Sequence, residues 1–167
     1  LQELRVSLPI PAEKCIPAMA DEAIARVREL EQWTRTLPQV AVETEHVLHA
    51  GMYARTIRIP AGVVLTGVLI RVPTMLVVSG HVTVFVGEGT VEIAGYHVIA
   101  ASARRRQAFL AHKDTWLTMV FPTRAKTVEE AEEEFTEEVD LLMSRAEGAV
   151  NHVYITGEQP CQEQQQR

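Results

Sequence analysis

Three consecutive arginines, Arg104-Arg105-Arg106, followed by Gln107, are the densest chemical feature of the chain. A guanidinium is a permanent cation that presents five donors in a planar fork. In a partly dry interior it requires an anion, either an internal carboxylate or the carboxylate or phosphate of a ligand. Alternation along extended backbone sends Arg104, Arg106 and Ala108 one way and Arg105 and Gln107 the other. At most two of the three arginines can then share a cavity, and a solvated turn is the blander alternative. Upstream, Tyr53, Arg55, Ile57 and Ile59 share one strand face, while Met52, Ala54, Thr56 and Arg58 share the other. In a closed barrel strand, one of Arg55 and Arg58 faces inward. There it could hold a ligand together with Tyr53, or pair with a strand-borne acid such as Glu45 or Glu92. His97 and Tyr96, beside Gly95, could line a rim or take a hydrogen-bonded structural role.

Metal and nucleophile chemistry find less support. His46 and His49 are three residues apart, which places them on opposite faces of a strand. Joint ligation would need a bulge, and no third ligand of the kind zinc requires is apparent. His112-Lys113-Asp114 is most simply a polar hairpin turn, since no nucleophile elbow or activated cysteine accompanies it. There is no Walker loop, dinucleotide fingerprint, zinc-finger spacing or helix-turn-helix with basic recognition residues. Trp33 and Trp116 read as core or interface anchors.

With 167 residues the chain can bury one substantial core, so a single domain is expected. A net charge of -6 argues against binding to nucleic acid polymers, which calls for a basic footprint. No apolar run is long enough to span a bilayer and no signal segment opens the chain, so a cytoplasmic protein without a membrane partner is expected. Cys15 and Cys161 have neither metal nor redox spacing, and a disulfide between them is the minor alternative.

The elements that must position these side chains fall into four zones. Residues 1–42 form a Pro-rich arm (Pro9, Pro11, Pro17) and a helix. The helix carries Ile24, Val27, Leu30 and Trp33 on one stripe, with Asp21 as N-cap and Pro38 barring continuation. Residues 43–123 switch to period-two and continuous runs rich in Val, Ile and Thr. The strands expected there are Glu45–His49, Tyr53–Ile59, Val63–Val72, Thr74–Ser79, Val82–Val86, Thr90–Ile93, His97–Ala100, Gln107–Ala111 and Thr115–Phe121. Gly87-Glu88-Gly89 marks a hairpin. Residues 124–148 begin with the capping box Thr127-Val128-Glu129-Glu130 and continue as a helix through Ala131, Phe135, Val139 and Leu142 to a stop at Gly148. Residues 149–167 are a tail with a short edge strand at Asn151–Gly157 and a Gln-rich end. Many short strands with Gly turns predict a mainly β barrel flanked by an N-terminal and a C-terminal helix.

The segments Tyr53–Gly62 and Val77–Val84, then Gly95–Ala101 and Trp116–Phe121, resemble the two halves of a cupin, a double-stranded β-helix or jelly-roll barrel. The whole stretch, running on into Thr127-Val-Glu-Glu-Ala-Glu, also resembles small cupin-like proteins encoded by tailed phages and prophages. The resemblance implies a metal site, but the ligands are absent. Starting from Gly62, the first motif's histidine positions fall on Val68 and Ile70 and its acid on Thr74 or Met75. Val63 to Ser79 contains no His, Asp, Glu, Asn, Gln or Cys in any register. Starting from Gly95, the second motif's histidine falls on Arg106.

These readings predict a cavity without a metal cofactor that captures a small anionic ligand, nucleotides included. The candidate residues are Arg106, Arg55, Tyr53, Arg58, Gln107 and His97. A phage protein of this kind would sequester a host signal. Two alternatives stand beside it: a metal-dependent dioxygenase or isomerase built on His46 and His49, and a structural or virion-assembly protein with a filled barrel. Exposed barrel edges and the Val-rich strand Met75–Val78 predict a homodimer or higher homo-oligomer.

Overall fold

The structure, a computed structural model, describes residues 14–157. The expected arm at Pro9 and Pro11, Cys161 and the Gln-rich end lie outside the described residues. The strands are β1 (Cys15–Ile16), β2 (Thr44–His49), β3 (Met52–Ile59), β4 (Val64–Thr66), β5 (Thr74–Phe85), β6 (Thr90–Ala101), β7 (Ala108–Pro122) and β8 (Asn151–Ile155). Two helices, α1 (Asp21–Thr34) and α2 (Val128–Phe135), flank them. The sheet runs β1-β6-β5-β7-β3-β2-β8, with β4 added against β7. β7 holds it together, pairing along its length with β5, through Thr115–Pro122 with β3, and through Ala108–Leu110 with β4. Among the described residues, no helix is long and apolar enough to cross a membrane.

The glycines that read as strand ends turn out to lie inside long strands. Thr74–Ser79 and Val82–Val86 belong largely to the single strand β5, and the two halves of β6 run through Gly95. Gly80 marks a close approach of β7. A Cβ built on it would lie 2.4 Å from Thr115 Oγ1 and 2.7 Å from the Asp114 carbonyl oxygen, at a φ of +145°. The register of β5 on β7 slips between Ser79 and His81 and again before Val82, as bulges that bend the pair. The expected strand Val63–Val72 is a strand only over Val64–Thr66. Beyond it, Ile70 makes an isolated bridge to Arg105.

The inner face divides into two regions. At one end Ile59, Val78, Val82, Val84, Ile99 and Ala111 pack into an apolar core. At the other end Tyr53, Val68, Met119 and Phe121 pack against Ala131 and Phe135 of α2 and against Leu142. α1 lies across the outside through Ala23, Ile24 and Val27. Its stripe is narrower than expected, because Trp33 is exposed. Ala20, and not Asp21, occupies its N-cap position. Thr127 does cap α2, accepting from the Glu130 amide, and the Glu130 carboxylate accepts from Lys126 N. α2 ends at Phe135, and the continuation expected to Gly148 is replaced by tight 3-10 turns at Val139–Leu141 and Met143–Arg145.

Candidate functional site

A cavity of about 130 Å³ opens between the inner face of the sheet and this C-terminal segment. Its walls are Ile57, Leu76, Phe109, Leu117 and Met119 from the strands, Leu65 to Val68 with Ile70 from the β4 region, and Phe135 with Leu141–Met143 from the C-terminal segment. The polar groups on its wall are few, chiefly Arg55, Arg105 and Gln107. Val68 and Ile70 stand where the cupin motif would supply histidines, and both line the cavity as hydrocarbon.

Alternation separates Arg105 and Gln107 from Arg106 as the sequence suggests, but the side facing the cavity is the other one. Arg106 is not a lining residue. It is 1% exposed and binds two carboxylates of its own chain, Glu138 at 2.5 Å and Glu31 of α1. The expected exchange of a metal for a free Arg106 is therefore corrected: its charge is neutralised internally, and it ties α1 to the segment after α2. Arg104 turns outward at a φ of +58° and pairs with Asp21.

Arg105 takes the place expected for Arg106. It is 2% exposed, and no carboxylate pairs with it among the described residues. Nη1 donates to the Ser102 carbonyl at 2.5 Å and, at the limit of a bond, to that of Val72 at 3.4 Å. Nη2 donates to Thr74 Oγ1 at 2.7 Å, while Nε is buried without a partner. Thr74 is also one of the two positions, with Met75, to which the motif counted from Gly62 would assign its acid. Burial pushes the Arg105 guanidinium down to about 10, which leaves it cationic at neutral pH. Gln107 is buried beside it, with Nε2 also lacking a partner. Sequence reasoning missed Arg105 because the motif count landed one residue away. The alternation rule was the signal that could have found it.

Arg55 faces inward and Arg58 outward, as β3 requires. Arg55 donates to Glu132 Oε1 at 2.8 Å and to Ser144 Oγ at 3.0 Å, and lies over the Phe135 ring. Glu132 also accepts from Ser144 and from Arg145. Burial would raise its carboxyl, but those two hydrogen bonds and the Arg55 charge outweigh it and hold the group below its usual value. The expected partners of Arg55, Glu45 or Glu92, are thus replaced by an acid from α2. Arg58 pairs with Asp114 on the outer surface and covers Trp116, well away from the cavity. Tyr53 is fully buried and bonds His46 Nδ1 at 2.7 Å, and burial pushes its phenol up to about 12. It supports the wall and does not line it. His97 is on the surface and reaches the Ala94 carbonyl, a structural contact.

His46 and His49 face opposite ways on β2. His46 is buried between Tyr53 and Asn151, and burial lowers its pKa. His49 is exposed and meets Thr156. No group of three or more His, Cys, Asp or Glu side chains that could hold a metal ion occurs among the described residues. The metal implied by the cupin resemblance does not fit the donors present, because a permanent cation and hydrocarbon face the cavity instead.

No protein-family model matches the sequence, and no curated protein is significantly similar to it. Several solved structures are similar in shape. One is a cupin_2 domain of an XRE family transcriptional regulator from Enterobacter cloacae, with 11% identity, 45% of this chain and 85% of that chain covered, and a TM-score of 0.38. Another is ectoine synthase from P. lautus, with 17% identity, coverage of 59% and 76%, and a TM-score of 0.44. A third is a salicylate 1,2-dioxygenase from Pseudaminobacter salicylatoxidans, with 13% identity, coverage of 76% and 41%, and a TM-score of 0.45. The strand order and the flanking elements define the class: a mainly β, jelly-roll-like barrel flanked by helices. At these identities the likeness extends to the arrangement of the strands, and not to ligands or activity.

Proposed function

We propose that the protein is a non-catalytic binding module that takes a small organic anion into the barrel cavity, with Arg105 as its anchor. The observation that carries this reading is a buried guanidinium without a carboxylate partner on the wall of a mainly hydrocarbon cavity, whose other arginine, Arg55, is already paired with Glu132. Leaving a buried charge uncompensated is costly, and an anionic ligand removes that cost. Gln107 offers a second donor on the same wall. In a chain encoded by a phage, as the sequence resemblance suggests, such a pocket would sequester a host metabolite. A second copy covering the exposed Met75, Val98 and Trp116 would account for the expected oligomer, which light scattering during size exclusion measures.

The test is calorimetry of the full chain against a panel of organic anions, alongside mass spectrometry of ligands released on denaturation. Binding by the wild-type chain, weakened at least tenfold by Arg105→Met, is the expected result. A folded wild-type chain that takes up none of them, and releases none, contradicts it. The metal-enzyme alternative predicts stoichiometric metal in the purified protein, and metal analysis decides that separately.

A further inference from the structure

We infer that the ligand is a monoanion, a single carboxylate on a compact apolar body about the size of a benzene ring; this rests on the anion-binding reading above. The charge balance limits the ligand to one negative charge. Of the charged side chains lining the cavity, Arg55 is already paired with Glu132 at 2.8 Å, while Arg105 is not paired. Arg106, adjacent in sequence, is consumed by Glu31 and Glu138. One positive charge is therefore available, and the second charge of a phosphate monoester or a dicarboxylate would be buried without a partner.

The arrangement of donors selects the headgroup. A guanidinium has five N–H hydrogens, and three acceptors (Ser102 O, Val72 O and Thr74 Oγ1) engage Nη1 and Nη2 of Arg105. The Nε hydrogen has no acceptor in the chain and one Nη2 hydrogen is left over, and a carboxylate can engage a guanidinium N–H pair with both oxygens. Gln107 Nε2, two residues along on the same face, is a further donor without an acceptor. The unmet groups are donors, which matches a headgroup that only accepts.

The walls define the rest of the ligand. Ile57, Val68, Leu76, Phe109, Leu117 and Met119 surround the space with hydrocarbon. The volume of about 130 Å³ is close to the roughly 150 Å³ of an engineered apolar cavity that holds benzene. It falls below the roughly 300 Å³ at which pockets for drug-sized ligands begin. A nucleotide, rich in polar groups, does not match these walls.

The experiment titrates the full chain at pH 7.5 with benzoate and cyclohexanecarboxylate. The same conditions are repeated with phenyl phosphate and phthalate as dianions and with benzamide as the neutral isostere. The two monocarboxylates are expected to bind at least tenfold tighter than the other three. Arg105→Lys, which keeps the charge and loses the fork, is expected to weaken benzoate about tenfold. Val68→Phe, which fills the cavity and leaves Arg105 in place, is expected to abolish binding in a chain whose circular dichroism is unchanged. Should Arg105→Lys fail to fold, Val68→Phe carries the test. Phenyl phosphate or phthalate binding as tightly as benzoate would overturn the monoanion assignment while leaving the anion site standing. Benzamide equal to benzoate would overturn the role of charge. Failure of all five probes to bind a folded wild-type chain would overturn this inference, while the anion-binding reading beneath it is decided separately by the wider panel and by the ligand released on denaturation.

Discussion

Replacing Arg105 and Arg106 in turn by methionine should change stability by very different amounts, although the two residues are adjacent. Both are almost fully buried, so burial alone would treat them alike. Their partners differ. Burial lowers the Arg105 guanidinium to about 10, and at about 1.4 kcal/mol for each pH unit the charged form is worse off in the fold by about 3 kcal/mol. Arg105→Met removes that penalty and gives up three hydrogen bonds worth about 1 kcal/mol each. Stability should therefore stay within about 1 kcal/mol, which for a chain of this size leaves Tm within about 4 °C. Arg106→Met instead strands Glu31 and Glu138. Breaking a buried pair costs about 3–5 kcal/mol, and the low end applies because Glu31 keeps Arg35 and Glu138 keeps Arg28 and the Leu69 amide. A loss of about 3 kcal/mol lowers Tm by about 9 °C. Denaturant titration of the unliganded protein at pH 7.5, with thermal melts beside it, measures both. An Arg105→Met loss as large as that of Arg106→Met would refute the reasoning, because Arg105 would then be a structural anchor and not a charge held for a ligand.

Acid should destabilise the fold in two steps. His46 is held below its ordinary 6.5, and Glu132 and Glu138 below their ordinary 4.5. In each case the unfolded chain binds more protons than the folded one below the ordinary value, so stability falls as pH falls, first from about 6.5 and again from about 4.5. Denaturation midpoints measured from pH 8 to pH 3.5 test this, and a flat profile between pH 7 and pH 5 would contradict the His46 step. Glu132→Gln weakens the pairing with Arg55 and Arg145, so amide exchange at Leu141–Met143 should speed up by tenfold or more while β5–β7 stays protected. Gly80→Ala should cost about 3 kcal/mol or more, because the Asp114 backbone blocks the new methyl at a φ of +145°; a stable, well-folded Gly80→Ala chain would show that β7 can give way there.

Much of the fold was legible because its signals are local. The period of three in α1, the Thr127 cap, the Gly87–Gly89 hairpin and the alternation along β3 each depend on neighbours in sequence. The long strands were cut short because a glycine that ends a strand and one that admits a neighbouring backbone look the same in sequence. Gly80 is of the second kind, and only the proximity of Asp114 and Thr115 shows it. The end of α2 was misplaced because Val139 and Leu142 keep helical spacing while tertiary contacts with the cavity wall select tight turns. At the site, the presence of an inward guanidinium was readable, but its identity was not. Whether Arg105 or Arg106 is free depends on Glu31 and Glu138, and no local pattern reveals acids 75 and 32 residues away.

The most direct test of anion capture lies at the Arg105 Nε–H itself. With the arginine Nε–H signals assigned through the Arg105→Lys and Arg106→Lys variants, benzoate is titrated into the labelled chain and the ¹H–¹⁵N spectrum followed. The Arg105 Nε–H signal should move downfield and saturate, while those of Arg55 and Arg106 stay within a small fraction of that change. An Arg105 signal that stays put while benzoate binds, or the larger response at Arg55 or Arg106, would contradict the claim that Arg105 is the free cation of this barrel.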